Sequence, residues 1–289
     1  MKYTYYPGCS LEGTAKEFDI STRAVLGALG AQIEDLDDWT CCGANAAEPV
    51  SELLSLALPA RNLALAEKMK DAGDVVVPCS ACYLNLKKVE EKSRADGALQ
   101  DRINHVRESE NLKLQNRIKV RHILDVLAND ITAGQIKAHS QKFLSGISVA
   151  PYYGCQCLRP YPVFDDPERP ASMEPLISAT GADIFEWDMG GRCCGASNMN
   201  TKPESAIKLV ADILKAAKGA DIIATVCPMC QMNLEAYQNQ ASKYMNESLD
   251  ITVMYLPQLI GLCLGLNVKD LGIDLNLTVK KDVMDRIKA

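Results

Sequence analysis

The chain has 289 residues, of which 47% are hydrophobic and 24% charged, with twelve cysteines and a formal net charge of −6. A chain this long buries a substantial core, so it has no need of the disulfide frame that holds small secreted proteins together. The acidic balance without a basic cluster argues against nucleic acid as a partner. No run of about 18 apolar residues is present to span a bilayer, and the opening MKYTYYPGC lacks an apolar signal segment, which predicts a cytoplasmic protein.

In chain order, an apolar segment first runs into Tyr5-Tyr6-Pro7-Gly8-Cys9. A helix over 22–29, a Gly-Ala turn and a strand over 32–36 lead to Cys41-Cys42-Gly43-Ala44. A helix over 52–72 precedes the β-branched run Val75-Val76-Val77, which enters Cys79-x-x-Cys82, and a further helix leaves through Asn85-Leu86. Residues 87–121 are dense in Lys, Arg, Glu and Asp and read as a solvated helical connector, with a docking face for a partner subunit as the alternative.

The same series then repeats. Pro151-Tyr152-Tyr153-Gly154-Cys155, a helix over 171–180, a strand over 183–187, Cys193-Cys194-Gly195-Ala196, a helix over 202–217, a strand over 222–226 and Cys227-x-x-Cys230 follow in order, with Asn233-Leu234 in the last helix. Val253 to Leu266 reads as a core strand followed by a buried helix that takes in Cys263. Strands alternating with helices of this length predict an α/β fold of two pseudo-symmetric modules, each a small, mainly parallel sheet with flanking helices. The expected boundaries are an N-terminal module over 1–98, a charged helical connector over 99–145 and a C-terminal module over 146–289. The cysteines fall where strands end and helices begin, the place where open α/β sheets collect ligands.

Ten of the twelve cysteines thus form one five-cysteine pattern written twice, with matched members displaced by 146 to 152 positions. The candidate ligands are Cys9, Cys41, Cys42, Cys79 and Cys82 in the first copy, and Cys155, Cys193, Cys194, Cys227 and Cys230 in the second. Five thiolates exceed the four that a tetrahedral ion or an ordinary cubane takes. The adjacent pairs suit a polynuclear iron–sulfur cluster, where neighbours bind different irons, better than one zinc ion. Zinc in a Cys₄ site remains the alternative. His105, His122 and His139 lie outside both cysteine blocks, so a His-ligated zinc or Rieske centre has no support. Cys157, two residues from Cys155, is an alternative to it as ligand, although the match of Gly154-Cys155 with Gly8-Cys9 favours Cys155.

This double pattern, C-x(31–39)-C-C-x(32–36)-C-x-x-C, is that of the cysteine-rich CCG family, and two full copies in a chain of this length resemble the B-type subunits of heterodisulfide reductase. The resemblance implies two noncubane [4Fe-4S] clusters, one per module, each held by that module's five cysteines. It implies reduction of the coenzyme M–coenzyme B mixed disulfide to two thiols, a step of methanogenesis. It further implies electron supply from a flavin-bearing A-type partner through an iron–sulfur C-type partner of the same complex. The chemistry would then reside on the clusters, with no side chain as catalyst. Anionic ends of such a substrate call for positive charge, and Arg159, Arg192 and Lys202 are the candidate contacts. A related protein acting on another disulfide or sulfur compound, and a non-catalytic electron-transfer or zinc-stabilised scaffold, are the other readings.

Overall fold

The computed structural model describes residues 1–44 and 46–288, and it contains two four-stranded sheets of matching connectivity. The first comprises β1 (Lys2–Tyr5), β2 (Gln32–Asp35), β3 (Val75–Val77) and β4 (Val120–His122) in the order β2-β1-β3-β4. The second comprises β5 (Ser148–Tyr152), β6 (Asp183–Ile184), β7 (Ile222–Thr225) and β8 (Thr252–Tyr255) in the order β6-β5-β7-β8. Every pairing is parallel. The α/β architecture of two related modules is therefore present as expected.

Parallel strands are covered by helices on both faces, so they read as unbroken apolar runs rather than alternating ones. The Val75–Val77 and Ile222–Thr225 strands are buried at every position, whereas the edge strand β2 carries polar residues and is largely exposed. In each sheet the chain leaves the first strand toward one edge and returns on its other side. The resulting switch point lies between β1 and β3, and again between β5 and β7, and ligands gather at the carboxyl ends of strands beside such a point. Cys9 and Cys79 follow β1 and β3, and Cys155 and Cys227 follow or lie two residues beyond β5 and β7.

One stretch differs from its expected form. Residues 120–122, inside the segment read as a solvated connector, are β4 of the first sheet, with Val75 paired to Val120 and Val77 to His122. A three-residue strand amid charged residues has too short a pattern to register as one. Its charges are spent internally: Glu90, 1% exposed, accepts from the Val120 N–H at 3.0 Å and pairs with Lys87 at 2.6 Å, while Arg121 bonds Asp125 and Asp130. Val253 to Leu266 behaves as read, with β8 followed by the buried helix Leu256–Cys263. Cys263 is fully buried with its Sγ 3.0 Å from Ser140 Oγ.

The modules share a core. Phe18, from helix Lys16–Ala28, stacks on Tyr255 at 4.1 Å with an interplanar angle of 3°, and both rings are buried. Such a pair contributes about 0.5–1.5 kcal/mol beyond its burial. Val226, Met254 and Leu256 of the second module belong to the same apolar cluster as Tyr5 and Val77 of the first. The two switch points are thereby held in a fixed relation.

Candidate functional site

The structure gathers each set of five cysteines. In the first module Cys9 Sγ lies 3.8 Å from Cys41 Sγ, Cys42 Sγ lies 3.3 Å from Cys82 Sγ, and Cys79 is near enough to Cys82 to raise its pKa. In the second, Cys194 Sγ is 3.6 Å from Cys230 Sγ, and Cys193 with Cys155 and Cys227 with Cys230 are near enough to shift one another's ionisation. A cavity of about 40 Å³ is lined by Cys155, Cys193, Cys194, Cys227 and Cys230 together with Ser80 of the first module. Cys157 is not part of that lining: it is buried and donates to the Tyr153 carbonyl at 3.3 Å.

The surroundings of the two sites share several contacts. Tyr6 Oη donates to the Thr40 carbonyl at 2.9 Å, and Tyr152 Oη to the Arg192 carbonyl at 2.7 Å, so each tyrosine pins the residue before a Cys-Cys pair. Asn85 and Asn233 donate to the carbonyls of Cys42 and Cys194 at 3.3 and 3.1 Å. Trp39 and Trp187 pack on Tyr6 and Tyr152, with centroids 5.4 and 6.1 Å apart. Gly8 and Gly154 have φ of +73° and +69°, and a Cβ there would stand 2.8 Å from Cys82 Sγ and 2.9 Å from Cys230 Sγ. Both positions thus require glycine for conformation and for space.

The thiols perturb one another. Close contact with Cys41 and Cys82 holds Cys42 down at about 3, and the same contacts push Cys41 and Cys82 up. In the second module, close contact with Cys155 and Cys230 lowers Cys193 and Cys227 to about 6 and raises Cys155 and Cys230. Arg159 also favours the Cys193 thiolate. Strong positive charge among the thiols, as in a metal cluster, would favour their thiolate forms. Five thiols in each set exceed the four that a tetrahedral zinc ion takes, and suit a polynuclear cluster better. Thiolates are also the ligands that iron–sulfur clusters take, so the residues fit that group.

The cationic candidates stand differently from one another. Arg159 is committed to the carbonyls of Pro167 and Gly191 and to Glu168, where it braces the loop beneath Cys193. Arg192 is exposed and lines a separate cavity of about 560 Å³ beside Tyr153 and Trp187. Lys202 is exposed at the N-terminus of helix Pro203–Ala216, and neither it nor Arg192 lines the cysteine cavity.

Two site residues escape a reading by cysteine spacing. Ser80, inside Cys79-x-x-Cys82, is 1% exposed and faces the second module's thiols. His122, at the end of β4, is fully buried and places its Nε2 3.1 Å from Ser80 Oγ, and burial lowers its pKa to about 3. Nothing in the pattern of the chain links positions 80 and 122. The tyrosines and asparagines did carry a signal, because they recur with the cysteines.

A model of the cysteine-rich domain family CCG matches residues 3–87 and again 149–235. The chain is 35% identical over 280 residues to the 8-methylmenaquinol:fumarate reductase membrane anchor subunit of Wolinella succinogenes, covering 96% of each protein. It is 28% identical to an Archaeoglobus profundus protein that is itself described as like the B-type subunit of heterodisulfide reductase, covering 99% of this chain and 98% of that one. With the B-type subunit of the ferredoxin/F420H2-dependent CoB–CoM heterodisulfide reductase of Methanosarcina acetivorans it shares 26% over 95% of this chain and 93% of the relative. The fold resembles the crystal structure of a hypothetical protein from Helicobacter pylori, with a TM-score of 0.77 and 15% identity over 97% of this chain. This chain spans 52% of that protein's length, and the likeness speaks for the fold alone.

Proposed function

Because this chain belongs to the cysteine-rich CCG family, in the group that holds the B-type subunits of heterodisulfide reductase, we propose that it is the iron–sulfur component of a multisubunit oxidoreductase, with a noncubane [4Fe-4S] cluster on each set of five cysteines. The observation that carries this reading is the cavity lined by all five patterned cysteines of the second module and not by Cys157. When bound, such clusters supply one-electron transfer and Lewis acidity at iron. The chain's own residues do the rest. The ten patterned cysteines would hold the clusters as thiolates. Tyr6 and Tyr152 fix the Cys-Cys turns, and Gly8 and Gly154 leave the sulfurs room. Buried Cys79, Cys82, Cys227 and Cys230 keep water from one side of each site, while Cys9, Cys41 and Cys193 are exposed on the other. That exposed side is where a substrate or an electron-donating partner gains access.

Two substrates fit this role. A disulfide has two sulfurs and takes up two electrons and two protons to give two thiols, which suits two matched one-electron sites. The coenzyme M–coenzyme B disulfide is the form expected from the family, with the flavin-bearing and iron–sulfur partners of that complex as electron donors. The 35% identity to a component of a quinol:fumarate reductase supports a second reading, in which the clusters pass electrons from a quinol toward a fumarate-reducing partner. Arg159, already bonded to carbonyls and Glu168, and the outlying Arg192 and Lys202 offer the anionic coenzymes little purchase, which also favours the second. Among the described residues no helix is long and apolar enough to cross a membrane, so a membrane-bound donor would meet the chain through another protein or at its surface.

Iron and acid-labile sulfide analysis tests the first step. About eight irons per chain are expected for two four-iron clusters, and two or fewer with zinc present would refute it. EPR then separates the substrates. Perturbation of the oxidised signal by coenzyme M, and its loss with the mixed disulfide, would support the disulfide reading. Cluster reduction by a menaquinol analogue and reoxidation by fumarate in the intact complex would support the other. Cys193→Ser should remove the second module's signal and leave the first.

A further inference from the structure

Ser80 belongs to the first module's Cys-x-x-Cys turn, yet its hydroxyl lies in the second module's site. It is 1% exposed, lines the cavity with the five cysteines, and reaches the Val226 carbonyl at 3.3 Å. Its hydroxyl favours the thiolate of Cys227, which lines the same cavity, and that of buried Cys157 as well. His122 holds it there. Nδ1 of His122 accepts from the Leu124 N–H at 3.2 Å, so the ring proton of the neutral imidazole is on Nε2, and Nε2 donates to Ser80 Oγ at 3.1 Å. Phe164 stacks on the ring with an interplanar angle of 2°, closing the other side.

With its oxygen occupied by His122, Ser80 has one proton to give. The Val226 carbonyl is a distant acceptor at 3.3 Å, and Cys157 is a buried thiol that donates its own proton to the Tyr153 carbonyl, whereas a thiolate is charged and draws a stronger, shorter bond. Once Cys227 is ionised as a ligand, the proton turns to its sulfur. Hydrogen bonds to the sulfurs of a cluster withdraw charge and raise its reduction potential. The position matching Ser80 in the second Cys-x-x-Cys is Pro228, which carries no donor, so this contact is not mirrored there.

We infer that Ser80 is a positioning residue that reaches across the module boundary to raise the potential of the second module's cluster above that of the first, with His122 orienting it. This rests on the proposal that each module holds a cluster. The two sites differ at other points as well, since Arg159 favours the Cys193 thiolate and Asn85 donates to Cys42 Sγ at 3.7 Å in the first module. The Ser80 hydroxyl adds to these a bias of the second module toward accepting the electron.

The test is a potentiometric EPR titration of the cluster-loaded full chain, with Cys42→Ser and Cys193→Ser used to assign each signal to its module. Ser80→Ala should make the second cluster about tenfold harder to reduce at a given potential, or about 59 mV lower for one electron, and leave the first cluster's midpoint in place. Ser80→Thr, which keeps the hydroxyl, should restore it. Unchanged midpoints in an iron-replete Ser80→Ala protein, or equal shifts of both clusters, would overturn the inference, as would loss of iron from both modules. A wild-type chain without clusters overturns the underlying proposal and this inference with it.

Discussion

Replacing Gly8 with alanine tests the site's geometry most directly. Gly8 has φ 73° and ψ 166°, a region open to glycine alone, and forcing a side chain into it costs on the order of 1–3 kcal/mol. The new Cβ would also lie 2.8 Å from Cys82 Sγ, in a buried layer where overpacking costs about 1–3 kcal/mol more. The expected loss is therefore about 2–6 kcal/mol. It should appear as a lower urea midpoint for the metal-free protein, and as a fall to about half the iron per chain after reconstitution. Gly154→Ala, with its Cβ 2.9 Å from Cys230 Sγ, should do the same to the second module. Gly27→Ala is the control: Gly27 lies in helix Lys16–Ala28 with nothing within 4 Å of an added Cβ, so alanine there should stabilise by up to about 1 kcal/mol. A Gly8→Ala protein with wild-type midpoint and full iron content would refute the claim that this glycine makes room for the sulfur.

Tyr6→Phe and Tyr152→Phe each remove one hydrogen bond to the residue before a Cys-Cys pair. Each should cost about 1 kcal/mol and speed iron release to a chelator about fivefold in its own module; equal release from all three proteins would contradict the pinning role. Glu235, 6% exposed, has its carboxyl raised to about 7 by burial, against hydrogen bonds from the chain at Leu277 and Thr278. A folded pKa above the unfolded value of 4.5 favours the folded state at low pH. That stability is lost as pH rises from about 4.5 to about 7, by about 3 kcal/mol at 1.36 kcal/mol per pKa unit. Glu235→Gln should flatten the denaturation midpoint across that window, and an unchanged pH dependence would show that Glu235 is not its source.

Much of this protein was legible without coordinates, for identifiable reasons. The chain repeats itself, so any residue that serves a module twice is marked by recurrence: the ten cysteines, Gly8 with Gly154, Tyr6 with Tyr152, Asn85 with Asn233. Apolar runs such as Val75-Val76-Val77 carry the signature of strands buried on both faces, and that periodicity is local to the chain. The α/β class, the two modules and the candidate ligand sets follow from those two signals.

What recurrence does not mark is whatever the two copies do differently. β4 was concealed because its partners, Glu90 for the Val120 N–H and the aspartates around Arg121, are charged residues that look solvated until the fold buries them. Arg159 looked available for an anion until its guanidinium was found bonded to Pro167, Gly191 and Glu168. Ser80 and His122 meet across 42 positions, and Ser80 meets Val226 across 146. Short-range pattern encodes which element forms and which residue type it carries. The packing of one module on the other decides which hydroxyl faces which sulfur, because that depends on contacts between residues far apart in the chain.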